Sequence, residues 1–326
     1  MAKVTVIGAG GWGTTLAILL AENKHSVTLW SYEKDVTLHM VEFRENNKYL
    51  PGFQLSPEIE PTEHLTAAQL NSDLIILAIP TQFIRPTLKG IKLPEKALVL
   101  SASKGIEEHT LKRPSEVIAE FHQGTIATLS GPNLAKEIAK GLPAASVVAS
   151  KDQASAASIQ NILNSEKFRI YTNPDIVGVE LGGALKNVIA IAAGAVDGFG
   201  LGDNAKSSLL VRGLAEMTRL GVSLGAKEKT FSGLSGMGDL ITTCGSPLSR
   251  NHRVGYELAK GKKIKEILAG MAEVAEGVPT AMAAVELAKK QKVEMPITQE
   301  VYEVLFKGKD PYQAMASLMR RSPTSE

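Results

Sequence analysis

The stretch Lys3-Val4-Thr5-Val6-Ile7-Gly8-Ala9-Gly10-Gly11-Trp12-Gly13-Thr14 decides the fold. Lys3 to Ile7 is a short apolar run, and Gly8, Gly10 and Gly13 follow in G-x-G-x-x-G spacing. Thr14 to Glu22 then reads as a helix with Leu16, Leu19 and Leu20 on its apolar side. Strand, glycine turn and helix in that order form a dinucleotide-binding fingerprint. Gly8 permits the tight turn, Gly10 lets a pyrophosphate approach the backbone, and Gly13 lets the helix pack on the strand. Unpaired N–H groups and the helix dipole favour phosphate there. The glycine spacing alone is weak; the context carries it.

Working outward, Ser26 to Trp30 is a second strand, whose end ordinarily carries an acid for the adenine ribose. Here the tip is Ser31-Tyr32-Glu33-Lys34. The acid is absent at position 31, Glu33 is close, and Lys34 could attract a 2′-phosphate, so NAD and NADP both stay open. Residues 35–47 read as a helix. Residues 73–79, 97–101 and 125–129 are continuous apolar runs, the look of parallel strands buried on both faces. They end in Pro80, Ser103-Lys104-Gly105 and Ser130-Gly131-Pro132-Asn133. Ligands of open α/β sheets bind at that edge, which makes Lys104 a candidate ligand-binding cation. Asn133 reads as the start of a helix over 134–140.

Strands over 144–149 and 169–172 flank a helix over 153–164. After Pro174 no strand pattern recurs, and helices are expected over 174–196, 205–224, 251–260, 264–269, 279–291, 297–306 and 311–320. The expected fold is α/β: an N-terminal Rossmann-type doubly wound, mostly parallel sheet over residues 1–180, then an all-α domain over 181–326. The last residues, 322–326, are expected to fray.

Inside the helix over 174–196 lies Gly182-Gly183-Ala184-Leu185-Lys186-Asn187-Val188. Val177, Leu181, Leu185, Val188 and Ile191 form one apolar face, and Lys186 lies on another, among small residues. Each helical glycine costs ~1 kcal/mol relative to alanine, so two in a row suggest a close backbone approach. Lys186 is therefore a candidate placed acid/base. A second cluster, Ser235-Gly236-Met237-Gly238-Asp239-Leu240-Ile241-Thr242-Thr243, reads as a glycine-rich turn carrying one acid into a β-branched run. Ser249-Arg250-Asn251 follows at a helix start, where an arginine fork and free N–H groups suit phosphate oxygens. Together Lys186, Asp239 and Arg250 supply a proton donor, its ionic partner and a phosphate clamp.

The 326 residues suffice for two domains, and 44% hydrophobic with 21% charged residues is ordinary for a globular protein. A net charge of +2 gives no field that argues for nucleic acid or a membrane surface. The single cysteine, Cys244, excludes an internal disulfide and reads as a small buried residue in a reducing compartment. The histidines lack metal-ligand spacing, so no metal site is expected. No signal-peptide pattern opens the chain, and glycines interrupt the longest apolar stretches short of the ~20 residues of a membrane span. A cytoplasmic protein is expected.

Gly8–Thr14, Ser103-Lys104-Gly105, Ser130-Gly131-Pro132, Leu185-Lys186-Asn187, Gly238-Asp239-Leu240 and Ser249-Arg250-Asn251 occur in this order along nearly the whole chain. In these motifs the chain resembles bacterial NAD(P)-dependent sn-glycerol-3-phosphate dehydrogenase. The resemblance implies hydride transfer between NAD or NADP and C2 of dihydroxyacetone phosphate, supply of glycerol 3-phosphate for phospholipid synthesis, and a homodimer. It makes Lys186 the catalytic acid/base, with Asp239 beside it. It assigns Lys104, Gly131, Asn133, Asn187, Thr243, Ser249, Arg250 and Asn251 to the substrate. It assigns Gly8, Gly10, Gly11, Trp12, Gly13, Tyr32, Lys104, Ala135, Arg250, Val274 and Glu276 to the coenzyme. The Ser31-Tyr32-Glu33 tip departs from the basic residue expected for a 2′-phosphate. Rival readings are a β-hydroxyacid or 6-phosphogluconate-type dehydrogenase and a non-catalytic dinucleotide sensor; the Ser103-Lys104-Gly105 tip and the spacing of Asp239 from Arg250 argue against the first, and the co-occurrence of Lys186, Asp239 and Arg250 against the second.

Overall fold

A computed structural model describes residues 1–322; of the tail expected to fray, residues 323–326 lie outside the described residues. Eight strands form one sheet: β1 (Lys3–Ile7), β2 (Ser26–Trp30), β3 (Ile59–Thr62), β4 (Leu74–Leu77), β5 (Val99–Ser101), β6 (Ile126–Ser130), β7 (Ala144–Ala149) and β8 (Phe168–Asn173). Their order is β3-β2-β1-β4-β5-β6-β7-β8. Every pairing is parallel except β6 with β7. Chain order runs outward from β1 to β3 and resumes beside β1 with β4, so a crevice opens at the C-terminal ends of β1 and β4. Val4, Val6, Ile7 and all of Leu74–Leu77 are fully buried, which accounts for their apolar character; Thr5, also buried, donates its hydroxyl to the Gln69 carbonyl.

The glycine turn fits this crevice for steric reasons. Gly8 has φ +116°, and a methyl group there would lie 2.5 Å from the Ala78 carbonyl oxygen. A methyl at Gly13 would overlap the Gly8 carbonyl, whereas one at Gly10 would meet nothing within 4 Å. Two of the three glycines are thus needed for packing, and the middle one faces open space. Asn46 braces the turn, donating to the Ala9 carbonyl (2.7 Å) and to Thr14 Oγ1 (2.8 Å). The helix expected over 35–47 is Lys34–Phe43, stopped by left-handed Arg44, whose φ is 53°. Arg44 donates to the Ile59 carbonyl, which ties the stop to β3.

Beyond Asn173 the chain is helical and built around one helix, Ile176–Phe199. Asp175 starts it by accepting from the Gly178 N–H (2.9 Å), and Gly200 ends it with φ +70°. The helices Gly202–Ser223, Asp239–Gly245, Arg250–Ala259 and Gly277–Gln291 all pack against it. The glycines expected to break this apolar stretch do not. The helix runs 24 residues with mean hydropathy 1.6, and 89% of its most apolar window is buried inside the protein. Its glycines are instead where other backbones touch it: methyl groups at Gly194 or at the facing Gly255 would overlap the carbonyls of His252 and Ile191.

The β-branched run after Gly238 is also helical. A π turn, Leu234–Gly238, leads into Asp239–Gly245. Leu240, Thr243 and Cys244, spaced three and four apart, are buried, so tertiary packing on the central helix overrides the strand preference of Ile241-Thr242-Thr243. Short helices at Ala67–Leu70, Ile84–Lys89, Pro114–Ile118 and Glu228–Phe231 went unpredicted because four to six residues carry little periodicity.

Candidate active site

The double glycine of the central helix brings two separate pieces of chain onto one lysine. A methyl group on Gly182 would lie 2.6 Å from the Ser235 carbonyl, and one on Gly183 would lie 2.5 Å from Ser130 Oγ. Gly182 admits the backbone of the π turn, which delivers Asp239. Gly183 admits the end of β6, beside which Gly131 and Lys104 stand. Lys186 follows one helical turn later and is 6% exposed.

Lys186 Nζ donates to Asp239 Oδ1 (2.5 Å) and Thr243 Oγ1 (2.5 Å). Thr243 Oγ1 in turn donates to Asp239 Oδ1 (3.0 Å). The other oxygen, Asp239 Oδ2, accepts from Lys104 Nζ (2.7 Å), which also donates to the Gly131 carbonyl (2.8 Å). One buried carboxylate therefore bridges a lysine from the sheet edge and a lysine from the helical half. Burial pushes Lys186 down to about 8; the Asp239 carboxylate opposes that shift, and the Lys104 ammonium adds to it. An ammonium has three donors, so two fixed bonds leave Lys186 one proton for a further oxygen.

Asn187 and Asn251 form the adjoining wall. Asn251 Nδ2 donates to Asn187 Oδ1 (2.9 Å), and Asn251 Oδ1 accepts from the Gly277 N–H (2.9 Å). Ser249 caps Arg250–Ala259 by accepting from the His252 N–H (3.2 Å), leaving the N–H groups of Arg250 and Asn251 at the helix start. Arg250 itself is not drawn into the Lys186–Asp239 cluster. Its half-exposed guanidinium pairs with Glu273 Oε2 (2.6 Å) and donates to the Val274 carbonyl (3.0 Å). Cys244 is buried close enough to Lys186 and Asp239 to feel their charges, and desolvation pushes its thiol up to about 12, which leaves it inert at neutral pH.

Towards the glycine turn the helical half contributes the segment 273–276. Glu273 Oε1 would lie 2.9 Å from a methyl group on Gly11. Glu276 Oε1 accepts from the Thr81 N–H (2.7 Å) just past β4, and its Oε2 is sealed from solvent although the residue is partly exposed. Burial pushes the Glu276 carboxyl up to about 7, against the Thr81 N–H, which favours the charged form. Ala135 opens the helix Ala135–Ala139, and its carbonyl accepts from Thr15 Oγ1 (3.3 Å). Tyr32 is 88% exposed at the tip of β2.

Asn133 does not cap a helix. The cap position falls on Leu134, because the Asn133 Oδ1 is taken by the Ser146 hydroxyl of β7. Its Nδ2 and the Ser130 hydroxyl are sealed from solvent without a protein partner. Such groups are costly to bury unpaired. With the open face of Gly10 and the N–H groups at the start of Gly11–Glu22, this edge has donors of the kind that a dinucleotide's phosphates need. Among the described residues no group of three or more His, Cys, Asp or Glu is placed to hold a metal ion.

Family models of the N-terminal and C-terminal parts of NAD-dependent glycerol-3-phosphate dehydrogenase match residues 3–156 and 175–316. The chain belongs to this family. Curated relatives named glycerol-3-phosphate dehydrogenase [NAD(P)+] include those of Syntrophotalea carbinolica, 49% identical over 99% of both chains, and Moorella thermoacetica, 47% identical over 99% of this chain and 97% of the relative. Among solved structures, glycerol-3-phosphate dehydrogenase of Coxiella burnetii superposes with TM-score 0.94 at 36% identity, covering 98% of each chain. A ketopantoate reductase of Ralstonia eutropha, at 13% identity and TM-score 0.60, shares the fold alone. As a glycerol-3-phosphate dehydrogenase family member the chain is an NAD(P)-dependent oxidoreductase. Sequence reasoning missed Thr81, Ser130, Glu273 and Asn46 at this site. Ser130 ends β6, the one signal that pointed to it; Thr81 opens a short turn four residues past β4, and Glu273 and Asn46 lie in loops whose partners are remote in sequence.

Proposed function

We propose that this chain transfers hydride reversibly between NAD(P)H and C2 of dihydroxyacetone phosphate, giving sn-glycerol 3-phosphate for phospholipid synthesis. The observation that carries the reading is the buried Lys186–Asp239–Thr243 cluster, closed by Lys104, at the carboxyl edge of a dinucleotide-binding sheet. When bound, the nicotinamide supplies or takes the hydride. The protein's task is then to meet the charge that develops on the ketone oxygen. Lys186, near 8, is mostly protonated at neutral pH, and its one uncommitted N–H is available to donate there. Asp239 and Thr243 hold that ammonium in one orientation. Lys104 lies on the other side of Asp239, where a second cation favours an anionic substrate.

The phosphate is assigned to Arg250, Asn251 and the helix start capped by Ser249. For Arg250 this requires its guanidinium to leave Glu273. Gly131, Asn133 and Asn187 complete the substrate side; Gly8, Gly10, Gly11, Trp12, Gly13, Tyr32, Lys104, Ala135, Arg250, Val274 and Glu276 form the coenzyme side. The chain is proposed to divide near residue 180, into a dinucleotide-binding part and a helical substrate part. The end of the sheet at Asn173 supports that division. A cytoplasmic homodimer without nucleic-acid partners is proposed on family grounds. The test is consumption of NADH or NADPH on addition of dihydroxyacetone phosphate, with Lys186→Ala as the control; turnover that survives the substitution overturns the role of Lys186.

A further inference from the structure

The coenzyme side contains one charged cluster that the proposed chemistry does not use. Glu33, two residues past the buried Ser31 at the end of β2, sends its carboxylate across to the segment that braces the glycine turn. Its Oε2 accepts from the Tyr49 hydroxyl (2.5 Å), and its Oε1 accepts from Lys48 Nζ (2.5 Å). Tyr49 is anchored to the turn. Asn46 accepts from the Tyr49 N–H (3.2 Å) while donating to the Ala9 carbonyl, and the Tyr49 carbonyl would lie 3.1 Å from a methyl group on Gly11. At the other end, the Ser31 hydroxyl accepts from the Glu33 N–H (3.2 Å) and fixes the backbone from which the side chain leaves.

We infer that Glu33 is the residue that sets coenzyme choice, favouring the free 2′-hydroxyl of NAD over the 2′-phosphate of NADP. The inference rests on the dinucleotide reading of the Gly8–Gly13 turn. A ribose joined to a pyrophosphate at that turn falls between the end of β2 and the turn, the corner that the Glu33 carboxylate spans. The acid is two positions later than usual, and its tether to Tyr49 brings it back. A carboxylate has about four acceptor positions, so its two protein bonds leave room for a ribose hydroxyl to donate. A 2′-phosphate would meet a like charge instead. Lys48 shares its charge with Glu33 while keeping two uncommitted donors, so it offsets that repulsion only in part. Lys34 and Asp35, both exposed at the start of the next helix, are of opposite sign and tip the balance neither way.

The test is equilibrium binding of NADH and of NADPH, without substrate, read from nicotinamide fluorescence on wild type, Glu33→Gln and Lys48→Ala. Wild type is expected to bind NADH at least ~10-fold more tightly than NADPH, since juxtaposed like charges are strongly unfavourable. Glu33→Gln keeps the shape, removes the charge and frees Lys48, so the preference should narrow by ~10-fold or more through tighter NADPH binding. Lys48→Ala should retain or widen the preference. Wild type that binds NADPH as tightly as NADH overturns the inference, as does Glu33→Gln with an unchanged ratio. Because substrate is absent, NADH binding without turnover of dihydroxyacetone phosphate would refute the proposed reaction and leave this assignment standing.

Discussion

Replacing Asp239 by Asn removes the one carboxylate shared by Lys186 and Lys104 while keeping its shape. Two unit charges ~4 Å apart at an effective dielectric of ~20 interact by about 4 kcal/mol. At 1.36 kcal/mol per pKa unit that is a ceiling of about 3 units on Lys186, and water re-entering the site reduces it to about 2. Lys186 would move from about 8 to about 6, so its protonated fraction at pH ~7.5 falls from about three-quarters to ~3%. Reduction needs the protonated form. Its rate in wild type should fall as pH rises through about 8, and in Asp239→Asn the same limb should appear about 2 units lower with a ~25-fold loss at pH ~7.5. Oxidation needs the neutral amine and should show the opposite sign. The assay is kcat for both directions across pH ~6 to ~9, with circular dichroism to confirm folding, because breaking a buried pair costs ~3–5 kcal/mol. An Asp239→Asn profile that superposes on wild type would refute the coupling.

Arg250→Ala should raise KM for dihydroxyacetone phosphate by ~10–100-fold with kcat little changed, the loss of one charge-assisted bond of ~1.5–3 kcal/mol; a KM near wild type would remove Arg250 from the phosphate. Glu276 has its folded value raised from 4.5 to about 7. Its burial therefore costs nothing below 4.5, and the full cost is present above about 7, at most ~3 kcal/mol. Glu276→Gln in coenzyme-free protein should gain melting temperature over wild type as pH rises through that window. A difference that stays constant with pH would show that the carboxyl is not held neutral by burial.

How much could be read from the chain depends on distance in sequence. The Gly8–Gly13 turn and the strands at Lys3–Ile7 and Leu74–Leu77 declare themselves locally, since a strand buried on both faces must be largely apolar. Lys186 was legible through the small residues around it, because only glycine at 182 and 183 lets Ser235 and Ser130 approach. The conformation after Asp239 was not legible: Ile241-Thr242-Thr243 prefers strands, and the reason it is helical is the surface of a helix some fifty residues earlier. Asn133 failed for the same kind of reason, as a hydroxyl from β7 claims the oxygen that would have capped the helix. Nor could the chain order reveal that Arg250 pairs with Glu273 or that Glu33 reaches Tyr49. Each is a contact made by folding, with a partner in a loop that has no periodicity of its own.

The central claim is that Lys186 is the proton donor for a phosphorylated ketone. The direct measurement is single-turnover reduction of dihydroxyacetone phosphate by Lys186→Ala with NADH prebound, alongside binding of NADH to the same variant. The account predicts NADH affinity near wild type and a chemical step slower by ~100-fold or more, the range of a lost general acid. A chemical step that runs at the wild-type rate in Lys186→Ala would contradict it.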